Sequence, residues 1–190
     1  TKEEDFVEKI FIASTHHYLL VFTSAGKVHW LKVYQIPQAG RAAKGKAMVN
    51  LVSLAPGERV SATLPVREFV TDKYVVMATR KGIIKKTDLA AYSNPRTGGI
   101  IAISIDDDDE LVDVQLTNGD QDVFLASKRG MAIRFREDEV RDMGRTARGV
   151  RGINLDEGDD VIGVEIPAQN TFMLTVSENG YGKCTPIDEY

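Results

Sequence analysis

Apolar residues in this chain come in short unbroken runs, each closed by a polar turn with a glycine and followed by a stretch carrying basic or aromatic residues. The pattern spans Tyr18–Trp30 and returns at Tyr74–Lys86, Val123–Arg134 and Phe172–Lys183. Its glycines, Gly26, Gly82, Gly130 and Gly180, stand 56, 48 and 50 residues apart. A run of about four or five apolar and β-branched residues reads as a strand buried on both faces. The glycine supplies the positive φ that a tight turn needs, so each copy predicts a β-hairpin. Asn179-Gly180 is the strongest of the four turn signals. Alanine at any of these glycines is expected to cost about 1 kcal/mol or more in backbone strain.

A second element lies between the hairpins. Arg41-Ala42-Ala43-Lys44-Gly45 leads into apolar residues up to Leu51, and Arg145-Thr146-Ala147-Arg148-Gly149 leads on to Leu155. A looser copy, Pro95-Arg96-Thr97-Gly98-Gly99, runs to Ile105. In each case a β-rich stretch is expected just past a basic, glycine-containing loop. A third strand type follows, as Val60–Leu64, Leu111–Leu116 and Val161–Ile166, and the later two alternate as half-buried strands do. About four short strands per unit of roughly 40–50 residues is the signature of a propeller blade. The expected fold is therefore all-β and propeller-like, with about four blades of roughly four antiparallel strands. Residues 1–190 form one repeat array, divided approximately into 1–55, 56–107, 108–157 and an incomplete 158–190. An isolated blade cannot bury both faces, so stability has to come from stacking neighbours.

With 43% hydrophobic and 27% charged residues, the chain has the composition of an ordinary soluble domain. No apolar run approaches the roughly 20 residues that cross a bilayer, and Thr1-Lys2-Glu3-Glu4 is not a secretory leader, so a cytoplasmic protein without membrane partners is expected. A single cysteine, Cys184, excludes an internal disulfide framework and a cysteine-rich zinc site. The net charge of −4 argues against a nucleic-acid partner, but the distribution changes that. Ile10 to Gly57 holds no acid, and Lys73 to Ile105 holds six basic residues against Asp88 alone. Acids gather at Asp106–Glu110 and Asp156–Asp160. On a repeating fold this alternation predicts one basic surface and one acidic surface.

The candidate contacts fall in two groups. Arg41, Lys44, Lys46, Arg96, Arg145, Arg148 and Arg151 belong to the inter-hairpin loops, and Arg80, Lys81, Lys85, Lys128 and Arg129 to the hairpins. In a bladed wheel the same loop of every repeat reaches the same rim, and a periodic ring of cations suits the phosphates of duplex DNA. A curved rim would offset a bending cost of a few kcal/mol per roughly 20–30 base pairs. The alternative is that these charges are solvated loop and edge residues, since lysines also guard strand edges. Other tempting residues read as structural. His16-His17 lacks a metal-ligand pattern, and Asp106–Glu110 lacks the spacing of an EF-hand loop. Trp30 and Tyr34 fit packing, and Cys184 fits a strand. No phosphate loop, nucleophile constellation or catalytic residue is expected, nor any cofactor or metal in this chain.

Gly26–Pro37, Val49-Asn50-Leu51, Arg148–Ile153 and Asn179–Lys183 together resemble the C-terminal domain of DNA gyrase A, in the bacterial-type type IIA topoisomerase family, and the resemblance covers essentially the whole chain. It implies a β-pinwheel, a propeller relative whose blades exchange strands. It also implies wrapping of double-stranded DNA in support of ATP-dependent negative supercoiling by a whole enzyme, an isomerase. The strand-cleaving tyrosine and Mg²⁺ would sit in another domain of gyrase A and ATP in gyrase B; the rest of gyrase A and gyrase B are the implied protein partners. The family's Gln-basic-basic-Gly-Gly-basic-Gly box has no intact copy. Gln38–Gly45 resembles a degenerate version, and the chain reads as a fragment of a longer domain. The alternatives are the corresponding domain of topoisomerase IV, a protein-contact propeller with apolar rim loops, and a propeller enzyme with polar residues converging on a central channel.

Overall fold

All four hairpins form where the glycine spacing places them. The computed structural model describes residues 10–40, 43 and 45–190. Its strands are β1 (Tyr18–Thr23), β2 (Lys27–Lys32), β3 (Val60–Val66), β4 (Tyr74–Thr79), β5 (Ile83–Asp88), β6 (Ile100–Ile101), β7 (Leu111–Thr117), β8 (Asp122–Ser127), β9 (Ala132–Arg136), β10 (Val150–Arg151), β11 (Val161–Glu165), β12 (Phe172–Val176) and β13 (Gly182–Pro186). The hairpins are β1–β2, β4–β5, β8–β9 and β12–β13, in matching registers such as Phe22 opposite Val28 and Ala78 opposite Ile84. Gly82 sits at φ +83°, and an added Cβ there would lie 2.9 Å from the Ile153 side chain. The turn thus needs glycine for its conformation and for the close approach of the next repeat.

The four antiparallel sheets run β3-β1-β2-β6, β10-β5-β4-β7, β11-β8-β9 and β12-β13. Sequence order and sheet order differ in one systematic way. β6, which follows the second hairpin, pairs with β2 of the first, and β10, which follows the third hairpin, pairs with β5 of the second. The first and second blades are therefore each closed by a strand of the repeat after them, the exchange that defines a pinwheel. The stretches expected to be β-rich beyond the basic loops are short for this reason, because they pair only while crossing the preceding blade. The stretch before Leu51 has no such edge among the described residues and makes a 3₁₀ turn at Met48–Asn50.

The core lies between successive blades. Leu20, Phe22, Leu64 and Val66 of the first sheet meet Val75, Met77 and Val114 of the second. Val76, Ala78 and Ile84 on the opposite face meet Val123, Leu125, Val161 and Val164 of the third. β4 is buried on both faces because alternate residues serve two interfaces, which is what its unbroken apolar run predicts. Each fully buried aliphatic side chain contributes about 1.5–3 kcal/mol. β3, β7 and β11 pack against one another, with the Ser61 hydroxyl donating to the Leu111 carbonyl (2.6 Å) and the Gln115 amide donating to the Val164 carbonyl (3.0 Å). These strands mark the inner edge of the wheel, so β6 and β10 mark its outer rim.

Candidate nucleic-acid interface

The hairpin tips share a side-chain lock. The hydroxyls of Thr23, Thr79, Ser127 and Ser177 accept from the backbone N–H four residues on, at 3.1–3.3 Å. The acidic segments then fold onto the same tips. Thr23 donates to Glu58 at 2.5 Å, and Ser127 donates to Asp159 at 2.5 Å. The Lys81 and Arg129 N–H groups donate to Asp109 (2.9 Å) and Asp159 (3.0 Å). The Ser127 hydrogen bond holds the Asp159 carboxyl below the usual carboxylate range.

Two expectations change as a result. The alternation of basic and acidic segments does not separate into two surfaces at the tips, since each acidic segment returns to the tip of its own blade. The tip cations are engaged there. Arg80 faces Glu110 and Asp160 (3.8 and 3.9 Å) and donates to the Asp108 carbonyl. Lys81 pairs with Asp108, and its hydrogen bond lowers that carboxyl's pKa. Arg129 donates to the Glu157 carbonyl at 2.9 Å, while Lys128 is exposed without a side-chain partner among the described residues. Lys85, expected at the surface, is fully buried. Its ammonium donates to the carbonyls of Ala102 and Arg145, both at 2.6 Å, because the exchanged segments of two blades close over it.

The rim loops differ. Residues 94–99 run along β2, and an added Cβ at Gly99 would meet His29 and the Val28 carbonyl. Residues 142–149 run along β5, where the Met143 N–H donates to the Lys86 carbonyl (2.9 Å) and Gly149, at φ +104°, leaves only 2.5 Å between an added Cβ and the Ile84 carbonyl. The two loops meet. Arg96 and Arg145 line one small cleft with Ala91, Asn94 and Ile100. The Ser104 N–H donates to the Ala147 carbonyl at 3.1 Å. Arg148, further along, pairs with Asp106 at 2.5 Å, and exposed Arg151 leans on Asn154. Among the described residues neither Arg96 nor Arg145 pairs with a carboxylate. Arg141, which precedes the loop motif in sequence, is also exposed. Lys46 is exposed, and Arg41 and Lys44 lie outside the described residues.

This pattern of hairpins and exchanged strands has counterparts. The family model described as "DNA gyrase C-terminal domain, beta-propeller" matches residues 17–67, 73–118, 121–168 and 171–190. The chain belongs to this family. DNA gyrase A of Salmonella typhimurium is 50% identical over 189 residues, covering 100% of this chain and 22% of the relative. The chain thus spans about a fifth of the length of such relatives. Among solved structures, the C-terminal domain of DNA topoisomerase IV superposes with a TM-score of 0.83 at 30% identity, covering 93% of this chain and 55% of that one. A DNA gyrase A C-terminal domain gives 0.77 at 28% identity, covering 93% and 56%. The gyrase-family pinwheel expected from the motifs is the fold observed.

Of the remaining candidates, Tyr34 is 64% exposed and does not take the packing role expected of it. His16 and His17 lie in the turn before β1, and Trp30 packs on the first core while its indole donates to the Tyr92 carbonyl at 2.8 Å. Cys184 lies in β13. Among the described residues no group of three or more His, Cys, Asp or Glu side chains is placed to hold a metal ion, and no helix is long and apolar enough to cross a membrane. The hydroxyl–backbone lock was legible but missed, since Thr23, Thr79, Ser127 and Ser177 repeat at the spacing of the turn glycines.

Proposed function

We propose that this pinwheel binds duplex DNA along its outer rim without sequence preference and wraps it. In that role it would serve, with the rest of gyrase A and with gyrase B, the negative supercoiling of a whole enzyme that holds ATP and Mg²⁺ in other parts. The observation that carries this reading is the cleft shared by Arg96 and Arg145. Two consecutive rim loops present unpaired guanidinium groups side by side at the seam between blades, and Arg148 and Arg151 continue the track. Phosphates recur along a duplex as blades recur around a wheel, so contacts of this kind position DNA without reading bases. Residues 1–190 act as one array in this proposal, in repeats bounded near 55, 107 and 157. A protein-contact propeller stands second, because the rim loops are rich in Arg and Gly rather than apolar.

The test is binding to a duplex of random sequence across a salt series. Arg96, Arg145 and Arg151 on phosphates predict a loss of affinity of about 40-fold between roughly 50 and 200 mM salt, and further contacts steepen it. Absence of binding at low salt would refute the proposal.

A further inference from the structure

The rim cleft rests on an unusual support. Lys85 lies at the seam of the first two blades, fully buried, and its ammonium joins two carbonyls that belong to different exchanged segments. Ala102 follows β6 on the rim of the first blade, and Arg145 belongs to the rim loop of the second (2.6 Å each). This side chain therefore ties the segment just past β6, into which the Arg96 loop leads, to the loop that carries Arg145. The equivalent position in the first blade, 56 residues earlier, is His29, buried beneath the 94–99 loop.

The charges around Lys85 are all of one sign. Arg145 is the charged side chain that acts on it, and no carboxylate pairs with either residue among the described residues. Tyr92 packs at the same seam, and burial raises its phenol so that it stays neutral. On its own strand, Lys86 is directed elsewhere, toward the Glu137 carbonyl (3.0 Å) and Asp142 (3.2 Å). Asp88, at the far end of β5, accepts from the Ala90 N–H. A buried ammonium close to a guanidinium, with a third cation across the cleft, is a site that lacks an anion. Burial and then Arg145 push the pKa of Lys85 down to about 7. His29 is lowered by burial and by Lys27, opposed by Glu58.

We propose that Lys85 is a positioning residue for the DNA rim and that it couples duplex binding to proton uptake. A phosphate held by Arg96 and Arg145 supplies the missing negative charge, favours the ammonium over the amine, and is favoured by it in return. The proposal rests on the rim reading above and adds its regulation by pH. A ligand that raises the pKa of a group binds more tightly where that group is protonated, so affinity falls as pH rises through the lysine's free value. If the bound phosphate raises that value by about one unit, affinity drops about fivefold from pH 7 to pH 9, and binding at pH 8 takes up about 0.4 proton.

The experiment uses the chain and a duplex without terminal phosphates, at constant ionic strength. Affinity is measured from pH 7 to pH 9, and proton uptake at pH 8 by calorimetry in two buffers of different ionisation enthalpy. His29, lowered from its ordinary value, is neutral at pH 8, so it does not mimic the effect. The unaltered protein is expected to show the fivefold drop and the uptake, and Lys85→Met to lose both while retaining a salt-dependent affinity. Flat affinity with no uptake overturns the coupling and leaves the rim reading standing, as does a Lys85→Met protein that keeps the slope and the uptake. No binding at any pH at low salt overturns both. If Lys85→Met fails to fold, proton uptake by the unaltered chain still decides.

Discussion

The hairpin tips and the rim loops are alike in sequence, since both are short, glycine-containing and basic. They differ in what folds against them. At Arg80 and Lys81 the acidic segment of the same repeat returns to the tip and occupies the cations. At Arg96 and Arg145 the neighbour is the equivalent loop of the next blade, which brings another cation. A chain with a net charge of −4 can thus keep a basic edge, provided its acids close onto one set of cations and leave the other free. Charge available to a partner depends on which element packs against a residue as much as on the residue itself.

The largest effect should come from removing the free pair. At about 0.1 M salt each lost phosphate contact weakens binding about eightfold, so Arg96→Ala with Arg145→Ala should reduce duplex affinity by roughly 10² and lower the salt slope by about 2. Little change in a filter-binding or anisotropy titration would mean the rim is not the DNA surface. The next variant asks whether rim geometry matters as well as rim charge. Gly149→Ala forces a side chain into left-handed backbone and against the Ile84 carbonyl, and should cost more than about 1 kcal/mol, read as a lowered urea midpoint with m unchanged. A midpoint matching the unaltered chain would show that the loop can shift away from β5. The smallest effect is expected at the tips. Arg80→Ala, Lys81→Ala and Arg129→Ala together should change duplex affinity less than about twofold, because exposed cations already engaged by the acidic segments add little. A loss as large as that of the rim pair would erase the distinction between the two regions.

The hairpins, their glycines and the stacking of blades were legible because they depend on local signals, namely an unbroken apolar run, a turn residue and a fixed spacing. The family was legible in motifs such as Gly26–Pro37 and Asn179–Lys183. The fate of individual charges was not. Ile83 to Asp88 carries two lysines in a row and reads as an exposed basic strand. Nothing within it announces that the 142–149 loop and Ala102 will close over Lys85. Asp106 to Glu110 reads as a solvated turn, and its meeting with Arg80, Lys81 and Arg148 depends on antiparallel returns and on contacts across blades. Local pattern determined the strands, whereas pairing between repeats determined which cations remained unengaged.

Strand exchange also gives synthesis of the chain a definite rhythm. The first blade holds an open edge from the moment Lys32 is made until Ile101 emerges to cover it, and the second waits in the same way for Val150. At about 5–20 residues per second, the first wait lasts roughly 4–14 s. From Lys32 onward the growing domain therefore carries at least one unpaired strand edge on the ribosome, and between Asp88 and Ile100 it carries two. Chains stalled together at the same codon would each offer the other the strand that their own translation has yet to supply.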